Sequence, residues 1–251
     1  MFEYSELIKH LAVKEFKLRY RNSALGFLWS LLNPLAMMII LTIVFSALLR
    51  TSIEKFPVFL LTALLVWRFF SIASSMALWS IIGNSSLVTK VYFPRWLLVL
   101  SSNLANLIGS SLEFIALFPL LIFLGMKLTF LTLLLPLILV IEFILIMGVS
   151  LPLSALNVYY RDVSQIWDLA LQAGFFLCPI VYDIKLIPEN YLFLYSLNPM
   201  TRIIQSVRKI LYYNTLPTLS DFAIPLLSGL LLLLVGYIIF HKLEPKFAEE
   251  L

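Results

Sequence analysis

Cysteine, glycine and charge are all scarce in this sequence. Its 251 residues include one cysteine, Cys178, and eight glycines, and only 13% are charged. A lone cysteine excludes an intrachain disulfide and any multi-cysteine metal site, and Cys178 reads as a small apolar packing residue. The scattered glycines include no GxxxxGK(S/T) phosphate loop, so the chain has no usual cradle for a nucleotide. HExxH, GxSxG and Cys/His ligand clusters are missing, and no carboxylate pair sits in an obvious active-site loop. No catalytic residue, metal ligand or cofactor is assigned to this chain, and an enzyme is the weaker reading.

The shortage of charge goes with 61% hydrophobic residues, where a soluble domain is roughly half apolar and a quarter charged. There is too little polar surface to cover a water-soluble globule. The charges cluster, leaving apolar runs of about 20 residues or more, the length that crosses a hydrocarbon core of about 30 Å. Lipid offers no hydrogen bonds, so helices that satisfy their own backbone are the default, and no run alternates as a barrel strand would. The expected fold is an all-α polytopic membrane protein with spans near 27–49, 57–82, 97–124, 131–156, 165–182 and 222–240. Pro119, Pro136 and Pro152 interrupt spans at unmatched positions, and no internal repeat of the kind secondary transporters show is evident.

Residues 1–26 are too charged for a cleavable signal peptide. On a helical wheel Tyr4, Leu7, Leu11 and Leu18 share one face and Glu6, His10, Lys14, Lys17 and Arg21 the other, as in a helix lying at the membrane interface, although Glu15 falls on the apolar face. The basic arm next to the first span puts the N-terminus in the cytoplasm, and six spans bring Lys242 and Lys246 back to that side. Ten Lys/Arg then lie inside and seven outside, leaving Arg68 within a span. With a net charge of +4 concentrated near span boundaries, anionic lipid is a simpler partner than nucleic acid. The connection 183–221 is amphipathic and reads as short helices dipping into the outer leaflet, a plain external loop, or a seventh span.

Arg68, Glu113 and Glu142 fall at a common depth near mid-span, where an ionised side chain costs several kcal/mol unless paired or hydrated. Two readings stay open: an ion cluster that fixes helix packing, or a hydrated patch on a pathway. Asn103, Asn106, Ser110 and Glu113 form a polar stripe at helical spacing, as do Arg68, Ser71 and Ser75. Ser164, Asp168 and Gln172 repeat the pattern and run outward into Phe175 and Phe176. These stripes are interhelical glue or the wall of a lumen suited to a glycan, whose sugar rings stack on aromatic faces.

Four segments carry a family resemblance. They are Arg19-Tyr-Arg-Asn-Ser-Ala-Leu-Gly26-Phe-Leu-Trp29 leading to Asn33-Pro34; the loop from Asn84 through Lys90, Phe93, Pro94 and Arg95; Asn157-Val-Tyr-Tyr-Arg161-Asp162; and Leu197-Asn198-Pro199-Met200. In order and spacing they resemble type-2 ABC exporter permeases that move lipid-linked polysaccharides, most of all the O-antigen type, with capsule and teichoic-acid exporters as relatives. The resemblance implies a homodimer of six-span subunits in the bacterial inner membrane, both termini cytoplasmic, with a separate ATPase subunit in two copies holding ATP and Mg. It implies an undecaprenyl-diphosphate-linked polysaccharide as cargo. It also implies an interfacial N-terminal helix, a coupling helix in the first inside loop and gate helices in 183–221. Asn84, Lys90, Phe93, Pro94, Arg95, Asn157, Arg161 and Asp162 are the coupling candidates, with Lys90 and Arg95 meeting acidic groups on the ATPase. Arg161-Asp162 reads alternatively as an ion pair capping the fifth span. Asn103, Asn106, Ser110, Asp168, Gln172, Phe175 and Phe176 are lumen candidates. Asn198, Pro199, Arg202 and Arg208 belong to the external gate, where the two arginines would meet a pyrophosphate or anchor the segment to headgroups.

Overall fold

The computed structural model of the chain describes residues 4–20, 25–48 and 52–251, so positions 21–24 of the first motif and Arg50 lie outside the described residues. Among the described residues the regular structure is helical throughout, with no strand. In chain order the helices are α1 (Ser5–Tyr20), α2 (Leu28–Thr42, continued by a π-helical stretch Ile43–Leu48), α3 (Phe56–Leu78), α4 (Ser80–Gly83), α5 (Ser85–Lys90) and α6 (Trp96–Phe123). They continue as α7 (Leu135–Tyr159), α8 (Val163–Leu177), α9 (Glu189–Leu197), α10 (Pro199–Leu211), α11 (Leu219–Leu243) and α12 (Phe247–Glu250). Among the described residues, five helical stretches are long and apolar enough to cross a membrane: Leu28–Ser46, Phe56–Leu78, Trp96–Phe123, Phe130–Tyr159 and Leu219–Glu250.

The expected fifth span is shorter than its apolar run suggests. Helix α8 has 15 residues, about 22 Å at 1.5 Å per residue. It stops because Pro179 follows Cys178, and a residue before proline is driven out of the helical region; Cys178 sits at ψ 145°. The prolines expected to interrupt other spans do not. Pro119 and Pro152 lie inside continuous helices and Pro136 in the first turn of α7, where the missing N–H costs nothing.

The first half of helix α3 is apolar nearly all round, and α3 is the most enclosed of the long helices, with Val58 through Val66 almost wholly buried. Helices α2, α6, α7 and α8 pack around it, α11 packs on α7, and α10 closes the bundle. Met200, Ile203, Ile204, Val207, Ile210 and Leu211 recur at helical spacing and are all buried, so α10 packs as an amphipathic helix against α3, α7 and α11. Helix α1 lies against α6, burying Leu11 and Ala12 with Tyr4, Leu7 and Ile8 partly covered, while Leu18 of the expected apolar face stays exposed.

The tightest contact is the α7–α11 seam. A Cβ on Gly236 would come within 2.6 Å of the Gly148 carbonyl oxygen and 2.8 Å of Pro152 Cδ, and one on Gly148 within 2.6 Å of the Leu233 backbone nitrogen. Lipid provides no hydrophobic drive between helices, so close backbone approach through small residues is the attraction available here. Gly236→Ala is expected to lower the thermal midpoint in detergent markedly, while Gly83→Ala, with open space around it, leaves it within a degree or so; equal midpoints would remove the seam from this role.

Candidate functional site

The mid-membrane cations and carboxylates come together only in part. Arg68 on α3 meets Glu113 on α6, Nε to Oε2 at 3.4 Å, with 17% and 5% of the two side chains exposed. Arg19, at the last turn of α1, donates from Nη1 to Asn106 Oδ1 at 2.8 Å and lines the same small crevice as Arg68, Ser110 and Glu113. Glu142 stands apart. It is wholly buried on α7, and neither carboxylate oxygen has a hydrogen-bond partner among the described residues. The expected three-residue cluster is therefore a pair. Equal depth along three helices does not give equal azimuth, and Glu142 is buried without a hydrogen-bond partner among the described residues.

The lumen candidates divide as well. Asn103, Asn106 and Ser110 are buried inside the subunit: Asn103 donates to Met147 Sδ at 3.1 Å and Asn106 Nδ2 to the Ser102 carbonyl at 2.9 Å. The Asn103 bond joins α6 to α7, and the Arg19 bond to Asn106 joins α1 to α6. Phe175 turns inward against Trp67, ring centroids 6.3 Å apart. Trp167 Nε1, donating to Ser74 Oγ at 3.1 Å, joins it in fastening α8 to α3. The opposite face of α8 carries Gln165, Asp168, Gln172 and Phe176, all exposed, so three of the seven lumen candidates, Asp168, Gln172 and Phe176, share an open face.

The gate arginines are spoken for. Arg208 is fully buried and donates to three carbonyls: Nε to Phe59 at 3.3 Å, Nη1 to Pro179 at 2.5 Å and Nη2 to Ile180 at 2.6 Å. Its guanidinium also lies 3.4 Å from the Phe59 ring centroid, a cation–π contact. It cannot meet a pyrophosphate at the outer mouth. Arg202 donates from Nε to the Ser196 carbonyl at 2.7 Å and pairs with Asp221 at 3.1 Å, and Lys209 pairs with the same carboxylate at 2.5 Å. Asn198 caps α10, its Oδ1 accepting from the Met200 and Thr201 amides at 2.9 and 3.4 Å, with Pro199 in the first turn. Asp221 is the hub that sequence reasoning missed. Its signal was present in Thr218-x-x-Asp221, which forms a reciprocal capping box at the start of α11.

At the end of the bundle shared by the two chain termini, the coupling candidates also separate into buried and exposed sets. Asn84 is buried, accepting from Lys14 Nζ at 3.1 Å and donating to the Ser80 carbonyl at 2.9 Å. Asn157 donates to the Leu78 carbonyl at 3.3 Å, and Phe93 packs in the hydrophobic cluster with Phe240 and Phe247. Arg95, expected to reach a partner protein, is held within the chain. Its backbone amide donates to Glu244 Oε1 at 2.9 Å, its Nη1 to the Glu244 carbonyl, and its guanidinium lies 5.9 Å from the Phe247 ring centroid. Tyr159 Oη donates to the Leu243 carbonyl at 2.8 Å, so the C-terminal segment ties both loops at this end together. Pro94 stands half-buried at the turn into α6. Lys90, Val91 and Tyr92 project outward, Tyr92 almost wholly exposed. Arg161 and Asp162 are exposed too, and among the described residues they form no ion pair; Asp162 stands at the N-cap of α8 without a side-chain cap bond.

The ABC-2 type transporter family profile matches residues 6–212. The chain is 32% identical over 251 residues to an O-antigen export system permease protein RfbA of Klebsiella pneumoniae, covering 98% of this chain and 95% of that one. It is 31% identical over 257 residues to the protein of the same name in Myxococcus xanthus, covering 100% and 97%. The polysialic acid transport protein KpsM of Escherichia coli is 23% identical over 209 residues, 80% of each chain.

The Arg68–Glu113 pair is expected to show coupling of about 1–3 kcal/mol in a double-mutant cycle. Arg68→Met and Glu113→Gln should each lower thermal stability and the double variant should recover part of the loss, whereas Arg68→Met and Glu142→Gln add. Glu142→Met, which removes a buried group without partners, should raise the midpoint. Additive losses for Arg68 and Glu113 would refute the pair.

Proposed function

The chain belongs to the ABC-2 type transporter family and is a membrane permease subunit of that type, and from this premise we propose that it exports an undecaprenyl-diphosphate-linked polysaccharide of the O-antigen type across the bacterial inner membrane. ATP and Mg are handled by a separate ATPase subunit in two copies, and the permease is a homodimer of six-pass subunits with cytoplasmic termini. One observation carries the cargo assignment: similarity to O-antigen export permeases runs the length of both chains at 31–33% identity. The more distant match to a polysialic acid transport protein, over 80% of the chain, favours capsule export as the second reading.

In this reading α8, short and open on its polar face, borders the path of the glycan. Its exposed Gln165, Asp168 and Gln172 suit a hydrated wall, and Phe176 offers a ring for sugars to slide over, since stacking tolerates many sequences where fixed hydrogen bonds would hold particular sugars. The ATPase docks on the exposed Lys90, Val91 and Tyr92 and on the exposed Tyr160, Arg161 and Asp162. Phe93, Pro94 and Arg95 act behind that surface. Because Arg95 and Glu244 join the first loop to the end of α11, a push on Tyr92 reaches α6 and α11 together.

Proteoliposomes holding the chain alone should show no ATP-dependent movement of lipid-linked glycan, and adding the cognate ATPase should restore it. Flux driven by ATP without that subunit would sink the proposal, and transport of a capsular glycan in preference to O-antigen would move it to the second reading. With both subunits present, Tyr92→Ala together with Lys90→Ala should cut permease-stimulated ATP hydrolysis by about tenfold while the thermal midpoint of the permease holds. Undiminished stimulation would take this surface out of the docking site.

A further inference from the structure

Among the described residues, the end of the bundle away from the termini carries six basic side chains, Lys55, Lys127, Lys185, Arg202, Arg208 and Lys209. Three drop out of any account of ligand binding. Arg208 is spent on three carbonyls, and Arg202 and Lys209 on Asp221. The remaining three, Lys55, Lys127 and Lys185, all line one open cleft of about 750 Å³. They come from three separate connections, those before α3, after α6 and after α8, and a fourth, after α10, adds Tyr212, Tyr213 and Asn214.

The cleft's walls are braced by their own hydrogen bonds. Lys55 Nζ donates to the Gly125 carbonyl at 2.7 Å, Tyr212 Oη to the Glu54 carbonyl, and Thr129 Oγ1 to Asn214 Oδ1 at 2.6 Å. Lys55 and Asn214 hold left-handed backbone conformations, at φ 45° and 54°, which a non-glycine residue adopts only where its surroundings fix it. One of the two cleft carboxylates, Asp183, is already engaged: it accepts from the Lys185 backbone amide at 3.1 Å and from Tyr213 Oη at 3.5 Å. Burial, and after it the charge of Asp183, pushes the Tyr213 phenol up, so it stays a neutral donor. By contrast the ammonium groups of Lys127 and Lys185 are exposed and meet no acceptor among the described residues.

We propose that this cleft binds a phosphate-bearing group at the membrane surface, a lipid headgroup or a diphosphate, with Lys127 and Lys185 as the charged contacts and Lys55 as the fixed wall cation. Ammonium groups act on phosphate as point charges and need no planar fork, and the exposed Ser52 hydroxyl and the Asn214 amide supply neutral donors beside them. The cleft opens among the far ends of the helices, the level at which phosphates lie in a bilayer. The exposed Glu54 carboxylate on the rim opposes indiscriminate anion binding.

The test uses the full chain purified in an uncharged detergent, with inorganic pyrophosphate and phosphatidylglycerol as separate probes, binding read by equilibrium dialysis and by native mass spectrometry respectively. The wild type should bind at least one probe, Lys127→Gln/Lys185→Gln should weaken that binding about fivefold or more, and Lys127→Arg/Lys185→Arg should retain it. Both lysines are exposed, so the three proteins should share a thermal midpoint, which the same samples report. Binding of pyrophosphate assigns the cleft to a diphosphate, and binding of phosphatidylglycerol alone assigns it to headgroups. No binding of either probe, or equal binding by the wild type and the Gln variant, overturns the proposal. The measurement involves neither ATPase nor transport, so it stands or falls apart from the exporter reading.

Discussion

A charged side chain that leaves water within a membrane protein must find its partner in the protein, because hydrocarbon offers none and the cost runs to several kcal/mol. The arrangement of the connecting segments follows from this. Arg208 can be buried whole because Pro179 ends α8 and frees the carbonyls of Pro179 and Ile180, while the N-terminal turns of α3 present that of Phe59. One side chain thus fixes three elements at once, and α10 can lie flat against α3 with its apolar face closed. Asp221 does the same from the other side, capping α11 while pairing with both Arg202 and Lys209. Much of what reads as charge on an external segment is spent on bonds within the chain.

Backbone packing supplies the other half of the frame. The α7–α11 seam leaves no room for a methyl group at Gly148 or Gly236, so the two helices move as one body. Tyr159 at the end of α7 bonds the carbonyl of Leu243 at the end of α11, and Arg95 at the start of α6 bonds Glu244. Three long helices are therefore locked at the end that carries the termini, beneath the exposed Tyr92. A docked partner would act on a rigid plate rather than on a loop. Conversion of ATP binding into movement of the membrane part needs such stiffness, since slack in the first loop would dissipate the push.

Much of this was legible in the sequence. Apolar runs and their charged punctuation located the long helices, the amphipathic pattern of 183–221 suggested short helices there, and the spacing of Arg68 and Glu113 put both at one level. Azimuth was not legible: the depth that joined Arg68 to Glu113 also pointed to Glu142, whose carboxylate is buried with no hydrogen-bond partner among the described residues. The polar stripe on α6 is buried, with Arg19 on α1 bonded to Asn106 and Asn103 bonded to Met147 on α7; Asp168 and Gln172 on α8 have no such cover. Arg95 was assigned to a partner ATPase through the family resemblance, and Arg208 to the external gate. Their partners are a glutamate 149 residues away and backbone carbonyls, which no local pattern discloses.

The open face of α8 places its own demand on the assembly. Asp168 and Gln172 lie about 8 and 14 Å along the helix from Val163 at 1.5 Å per residue, well into the thickness of a bilayer if α8 stands upright. Both are exposed and make no hydrogen bond or ion pair among the described residues. Lipid against Asp168 would cost several kcal/mol, whereas α2 and α11 expose aliphatic side chains such as Ile39, Ile40, Leu231 and Leu234 that lipid covers at no cost. The exposed side of α8 is therefore mixed, with Gln165, Asp168 and Gln172 set among Ile166, Leu169 and Leu177, and its polar groups need water or protein where the apolar ones do not. In the homodimer proposed above, a second copy presenting the same side of α8 across a shared axis would meet that need, with Phe176 beside the water it encloses.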